Sequence, residues 1–579
     1  MNATSEDRAP AYLASEEAYL AHVRKLWDAR WPQGVPRTQR YPLGERTLSD
    51  YLREWARRTP DRPAIIFYDR VITWAELDRL SDRCAAMLAR AGVRKGDTVA
   101  VFLPNCPQFI IAFHAILKLG AIHVPVNPMF REQELAYELN DTGARVLIAQ
   151  DELLPLVAAV RGETAVEHVY ATSPGEFLPE RPFGPLPAGL DAPRQPLPEG
   201  VTDFVSAMMA ETGAPPETEV SLDDVAALNY TGGTTGMPKG CVHTQRDMLF
   251  TGASICSITC SIGPDDVFIN FWPVFWVAGE DWAILGPIVS GAACVLMARW
   301  DAKAWLAQTA RYRVTVAAMV VDNAVEIMER PDAASHDLSS LRETLVASFV
   351  KKLNVSFRDR WRALTGGVVL REAAWGMTET NSFDTFTRGF QEGNFDLNAR
   401  QVFCGLPTGA TDFKIMEFGG RKLVPLGQEG ELCVRSPSLL KGYWKRPDAT
   451  AEGLVDGWLR TGDIGMITEE GFILFLGRRK EMLKVKGMSV FPAEIEAVLG
   501  QHPSVTGSGV IGREDPEKGQ VPVAFVMVKD DTSADDLLAF CRQRLAVYKI
   551  PELRVVDSLP MTATGKVKKE ELAAMFNVT

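Results

Sequence analysis

The sequence predicts an α/β chain: a large N-terminal domain of packed α/β subdomains followed by a small C-terminal α/β domain. Three observations carry this. From Thr47 onward, short apolar runs alternate with segments whose apolar residues recur at helical spacing. A proline-dense stretch then separates this run from a second one of the same kind. After about residue 480 the alternation repeats on a smaller scale, as a complete unit.

The elements follow in order. Residues 1–46 read as a helical extension and then a loop, with prolines at 32 and 36. A helix over 48–56 precedes a short apolar strand at 64–68, and 74–91 repeats apolar residues at helical spacing. A buried strand at 98–103 ends at Pro104, before a helix over 109–119 and a strand at 121–125. The eight prolines between 174 and 198 exclude helix and interior strand, leaving an irregular surface connector. The second α/β run spans 225–350. In the last unit, 492–499 starts a helix and 521–528 is an apolar strand. Ser533 can cap a helix whose apolar face is Leu537, Leu538, Cys541 and Leu545. A strand at 553–556 and a helix at 569–576 close the chain. No internal repeat is visible.

Composition bounds the function. The 579 residues are 46% hydrophobic and 23% charged, an ordinary globular mix that excludes disordered and collagen-like classes. A formal net charge of −12 repels phosphate backbones, so nucleic acid is not an expected partner. The first residues are acidic and polar, without the charged and apolar regions of a signal peptide. The longest apolar stretch, 109–126, is interrupted by His114, Lys118 and His123 and is no membrane span. The nine scattered cysteines form no C-x-x-C pair, so reduced thiols in a cytoplasmic protein are expected.

The strongest local signal is Tyr230-Thr231-Gly232-Gly233-Thr234-Thr235-Gly236-Met237-Pro238-Lys239-Gly240, entered from an apolar strand at 225–228. Its glycines admit backbone geometries that side chains forbid, and its threonine hydroxyls and N–H groups can wrap a polyphosphate. Lys239 adds a point charge. The spacing is not that of a Walker A loop.

This segment resembles the phosphate-binding signature of the adenylate-forming (AMP-binding) acyl-CoA synthetase superfamily, which also contains luciferases and the adenylation domains of peptide synthetases. Further matches follow in order. Trp375-Gly376-Met377-Thr378-Glu379 resembles the aromatic-Gly-x-Thr-Glu segment, and Thr461-Gly462-Asp463 the ribose-binding segment. Gly477-Arg478-Arg479-Lys480-Glu481 and Lys484-Val485-Lys486-Gly487 resemble the hinge and the loop after it. Pro560-Met561-Thr562-Ala563-Thr564-Gly565-Lys566 resembles the loop that bears the catalytic lysine. The matches run from about residue 50 to 570, nearly the whole chain.

The resemblance implies a large domain 1–476, a hinge 477–482 pivoting at Lys480, and a small mobile domain 483–579. It implies an ATP-dependent acid–CoA ligase using ATP, Mg2+ and coenzyme A. Thr378 would touch phosphate. Glu379 would be the metal residue, since a carboxylate beside a triphosphate needs a cation between them. Asp463 can accept both ribose hydroxyls, with Arg478 donating to the same sugar. Lys566 would neutralise the charge that grows as a carboxylate attacks the α-phosphate and pyrophosphate departs. The small domain would then swing, bringing Lys484, Lys486 and Gly487 to the site so that a thiol can displace AMP. Gly376 and Met377 would line the nucleotide side.

Two departures from the family pattern stand out. In Phe271-Trp272-Pro273-Val274-Phe275-Trp276-Val277-Ala278-Gly279, Trp276 stands where histidine is common. In Ala347-Ser348-Phe349-Val350-Lys351-Lys352, bulky residues replace a glycine-rich loop that lies against adenine, so Phe349 and Val350 would crowd that ring or repack around it. Phe275, Trp276 and Trp375, with Trp282 and Phe383, could line an acyl pocket, which points to a short or medium, branched or ring-bearing acid. Glu280 and Asp281 next to that motif either contact a polar or cationic substrate tail or simply favour a helix N-terminus. Two other functions compete: an adenylating enzyme that loads a carrier protein, and a nucleotide-binding regulator without turnover. No carrier domain is fused to this chain, which favours free CoA. A homodimer is the commonest symmetric state for such an enzyme.

Overall fold

The computed structural model describes residues 10–231, 237–373, 375–398, 402–485, 488–516, 518–562 and 566–577. Among them the strands form four sheets. The strand Pro63–Phe67 opens one seven-stranded sheet. The chain then leaves to build a second sheet from Thr98–Phe102, Ile122–Pro125, Val146–Gln150, His168–Thr172, Val201–Asp203, Val225–Tyr230 and Gly240–Thr244. It returns through Val267–Asn270, Ala293–Leu296, Val316–Val320, Glu343–Ala347 and Leu370–Glu372 to complete the first. Both sheets are parallel except for a terminal hairpin strand, as alternating strands and helices require.

Helices fill the space between these two sheets. Helix Pro107–Lys118 is buried along all twelve residues. One apolar cluster joins its Phe109 and Ile116 to Ile65 and Phe67 of the first sheet and Val99 and Val101 of the second. Being covered on every side explains why this helix is apolar along its whole length. Lys118 is paired inside it, with Asp78 and Asp82 each 2.6 Å from its ammonium. No helix among the described residues is long and apolar enough to cross a membrane. The nine cysteines are all free and buried.

The expected elements fall close to their observed bounds: Leu48–Arg58, Trp74–Arg90, Pro492–Leu499 and Glu552–Val555 among them. The proline-rich connector holds one short turn, Pro174–Phe177, and no strand before Val201. The second α/β run extends past residue 350, to Glu372. A third sheet went unread in the sequence. It is antiparallel and runs Thr385–Phe386, Val402–Pro407, Ile473–Arg478, Trp458–Ile467, Gly430–Arg435, Asp412–Met416. The N-terminal helix Glu16–Arg30 packs on it. Trp27 donates to the Gly471 carbonyl, and Arg24 forks onto Asp412.

The fourth sheet is built wholly from residues beyond 482: Met488–Val490, Leu483–Val485, Gly519–Val528, Val505–Asp515, with Glu552–Val555 alongside. Ser533 caps helix Ala534–Arg542 by accepting from the Asp536 N–H, and Leu537 and Cys541 turn inward.

Candidate active site

The glycine-rich segment spans a hairpin. Strands Val225–Tyr230 and Gly240–Thr244 pair antiparallel, and the loop is closed at its base by Thr231 and Lys239. The Thr231 N–H donates to the Lys239 carbonyl (3.0 Å) and the Lys239 N–H to the Thr231 hydroxyl (3.2 Å). Gly232, Gly233, Thr234, Thr235 and Gly236 lie outside the described residues, as do Lys486 and Gly487. The Lys239 ammonium sits 4.3 Å from the centre of the Tyr443 ring. The Tyr443 hydroxyl in turn donates to Glu379 Oε1 (3.0 Å). Burial, and then the charge of Glu379, push that hydroxyl well above its ordinary value, so it remains a donor. Lys239, Tyr443 and Glu379 therefore form one chain of contacts at the mouth of the loop. Tyr443 carried no signal in the sequence, because only the fold brings the 440–444 stretch beside strand Gly240–Thr244.

Thr378 and Glu379 lie on the short turn Thr378–Thr380. The buried His243 holds it from behind, Nε2 donating to the Thr378 carbonyl (2.8 Å), while the Leu440 N–H donates to the Glu379 carbonyl. A side chain at Gly376 would place Cβ 2.4 Å from the Phe383 nitrogen. Gly376 thus lets its segment, Met377 included, lie against the next turn. There Asn381, Ser382 and Phe383 all have left-handed backbone (φ 51°, 67° and 58°). Three such residues in succession store strain of the kind that gathers at functional sites.

Asp463 and Arg478 are directly opposed on neighbouring strands. Asp463 is 1% exposed. Its Oδ2 accepts from the Trp375 indole N–H (3.0 Å), and its Oδ1 lies 2.9 Å from Arg478 Nε. Oδ1 nonetheless receives no well-aligned hydrogen bond among the described residues. Burial pushes the carboxyl up to about 6, with the Arg478 guanidinium pulling the other way. A buried carboxylate oxygen without a well-aligned hydrogen bond can accept one from a ligand. Trp375 was expected beside Phe275 and Trp276. The structure instead packs its ring edge-on to Phe413 in the cluster under the third sheet, because its N–H is committed to Asp463.

Lys566 ends the 560–566 stretch, its N–H donating to the Thr562 hydroxyl and its carbonyl accepting from the Thr562 N–H. Its residue surface is exposed, but its ammonium lies 5.2 Å from the centre of the Phe349 ring and close enough to Asp463 and Arg478 to feel both charges. The enclosing cleft, and then Arg478, draw it below the usual ammonium range. Arg478 and Lys484 are both exposed, Lys484 on the strand Leu483–Val485. Among the described residues no three carboxylates, histidines or cysteines cluster to hold a metal. Glu379 stands as a lone carboxylate, the donor set that suits a magnesium ion shared with substrate phosphates and water.

The 271–279 turn is held by Asn105, which accepts from the Val274 N–H and donates to the Trp272 carbonyl. Phe275 and Trp276 are half-buried and meet edge to face. Trp282 and Phe383 also meet edge-on, within the core cluster between the parallel sheets that Phe275 packs against. Glu280 and Asp281 are completely buried, at the end of helix Val277–Glu280 and the start of the wide turn Asp281–Leu285. Glu280 falls in the first turn of its helix and Asp281 opens the turn that follows, in keeping with the helix-start alternative, and complete burial gives no support to contact with a substrate tail. Burial pushes Glu280 up to about 8 and Asp281 well above the carboxylate range, the latter helped by Glu280.

The sequence matches the family model of the AMP-binding enzymes over residues 52–444 and that of their C-terminal domain over 494–566. The chain is 32% identical to a long-chain-fatty-acid–CoA ligase of Escherichia coli O157:H7 over 565 residues, 95% of this chain and 98% of that one. It is 31% identical to 4-coumarate–CoA ligase 2 of Oryza sativa subsp. japonica over 571 residues, 97% of this chain and 96% of that one. The solved anthranilate CoA ligase AuaEII, in complex with anthranoyl-AMP, superposes with a TM-score of 0.78 at 27% identity, covering 92% of this chain and 97% of its own. The chain belongs to the AMP-binding enzymes and is an acyl-CoA ligase of the adenylate-forming superfamily, a family that works with ATP, Mg2+ and CoA.

Proposed function

We propose that this ligase activates a short or medium, branched or ring-bearing carboxylic acid, as acyl-adenylate and then as CoA thioester, at the site around Asp463. The buried Asp463 Oδ1, paired with Arg478 but without a well-aligned hydrogen bond among the described residues, carries this reading of the site, because a ribose hydroxyl is a donor that fits it. Arg478 then holds the same sugar, and Thr231 and Lys239 close the loop that receives the phosphates. Glu379 holds the magnesium ion, which when bound supplies charge neutralisation to the phosphates. Lys566 stabilises the α-phosphate as the acid oxygen bonds to phosphorus and the bond to pyrophosphate breaks. The 477–482 segment, with Lys480 as pivot, then lets the small domain swing so that Lys484, Lys486 and Gly487 meet the incoming thiol.

The acid class rests on Phe275 and Trp276. A tryptophan where the family often carries histidine narrows the acyl side and offers a flat face to a ring. Free buried thiols support a reducing, cytoplasmic setting.

The test is pyrophosphate release from ATP and magnesium across short, branched, aromatic and long-chain acids, with and without CoA. Release with branched or aromatic acids, followed by thioester only when CoA is present, is expected. A preference for long-chain acids would overturn the acid class. Release without thioester would move the thiol to a carrier protein.

A further inference from the structure

The 347–352 loop departs from its family's glycine-rich pattern, and the structure shows what the bulky residues touch. Strand Glu343–Ala347 ends at the loop. Ser348 anchors it by donating its N–H and hydroxyl to the two oxygens of Glu372 (2.9 and 2.6 Å). The Lys351 N–H donates to Asp322. The loop is therefore rigidly part of the large domain. Its side chains point elsewhere. Val350 is 8% exposed and belongs to an apolar cluster whose other core members, Ile511, Val523, Phe525, Leu559 and Leu572, all lie in the small domain.

Two glycines of the small domain receive this loop. A Cβ on Gly507 would come 2.6 Å from Val350 Cγ1, and one on Gly500 would come 2.8 Å from Lys352 Cβ. Neither glycine has left-handed backbone, so their smallness matters here for contact and not for conformation. Asn354 Nδ2 adds a hydrogen bond to the Gly500 carbonyl (3.3 Å). Beside Val350, the Phe349 ring stands edge-on to Trp272 and lies under the Lys566 ammonium.

We propose that Phe349, Val350 and Lys352 are positioning residues for the adenylation step: the loop seats the small domain through Gly500 and Gly507 while the Phe349 face holds Lys566 toward Asp463. The loop thus trades contact with the nucleotide base for a grip on the mobile domain. Seating stabilises the arrangement that forms adenylate and must be released for the thiol step. This rests on the two-step reading above, in which Lys566 serves only the first step.

The experiment uses the full-length enzyme and its best acid. Gly507→Ala sets a methyl against Val350, and Val350→Ala in the same chain restores the space. ATP–pyrophosphate exchange reads adenylate formation, and thioester formation from supplied acyl-adenylate and CoA reads the second step. Gly507→Ala is expected to slow exchange about tenfold while leaving the second step unchanged or faster, and the double variant to recover most of the exchange. Phe349→Ala should slow exchange alone. Equal loss in both steps, or no recovery in the double variant, would overturn the proposal. A second readout needs no acid: trypsin cleavage at the exposed Arg478, Arg479 and Lys480. Gly507→Ala should accelerate it several-fold, and the double variant should return it to the parent rate. Unchanged cleavage in Gly507→Ala would overturn the latch, whereas a parent enzyme without exchange on any acid would overturn the two-step reading instead.

Discussion

Asp463 and Glu280 are both buried carboxyls raised above their ordinary values, yet their surroundings differ. Asp463 has Arg478 across the strand pair and the Trp375 indole on one oxygen, so it is held close to its charged form at neutral pH. Glu280 has neither a cation nor a well-aligned donor among the described residues. With its carboxyl at about 8 in the folded chain and near 4.5 when unfolded, the native state keeps a proton that the unfolded state has lost. Glu280 therefore contributes stability that is full below about pH 4.5 and is lost as pH rises through 8. Glu280→Gln should flatten the fall in melting temperature across that window, and an unchanged slope would count against the assignment. Lys566→Ala should cut adenylate formation about 10²–10³-fold, the scale for losing one group that meets transition-state charge. Its rate of thioester formation from supplied adenylate should stay at the parent value, and equal loss in both steps would remove Lys566 from the first.

At the scale of elements, the turn from Phe271 to Gly279, proposed above to lie on the acyl side, shows how close packing fixes a turn. A Cβ on Gly279 would lie 1.9 Å from the Pro273 carbonyl oxygen, so the start of helix Val277–Glu280 can fold back on the turn only as glycine. Gly279→Ala should destabilise the enzyme by about 1–3 kcal/mol in denaturant unfolding. It should also raise KM for the acid more than KM for ATP; a uniform change in both would mean that the turn does not shape the acyl side. Element boundaries in the parallel sheets were legible because each strand is a short apolar run and each helix carries the 3.6-residue period. The antiparallel third sheet was not. Its strands mix core residues such as Leu432 with buried or half-buried charges: Glu431 and Arg460 pair across strands, and Lys414 pairs with Glu16 of the N-terminal helix. That pairing has no trace in local spacing.

For the whole molecule, the N-terminal helix Glu16–Arg30 is a brace on the third sheet, the sheet that carries Asp463 and Arg478. Tyr19, Leu20, Val23 and Trp27 are all buried against it. Arg24 pairs with Asp412, and Glu16 with Lys414. Removing residues 1–30 should lower the melting temperature clearly, since burying each large apolar side chain contributes about 1.5–3 kcal/mol. Affinity for ATP should fall with it, and a truncated chain that melts and binds ATP like the parent would refute the bracing role.

The amino-acid sequence by itself determined the α/β class, the order of the two parallel runs, the small C-terminal unit and the list of candidate residues, because those are written in local periodicity and in short motifs. Which of those residues meet was decided by the tertiary structure. Trp375 faces Asp463 because its indole N–H is buried where a carboxylate needs a donor. Glu280 and Asp281 turn into the core, and Tyr443 links Lys239 to Glu379 across some two hundred residues of sequence. Phe349 and Val350 turn from an anomaly in a motif into a contact between domains. Side-chain direction and long-range pairing depend on packing, and packing is settled only when the whole chain is in place.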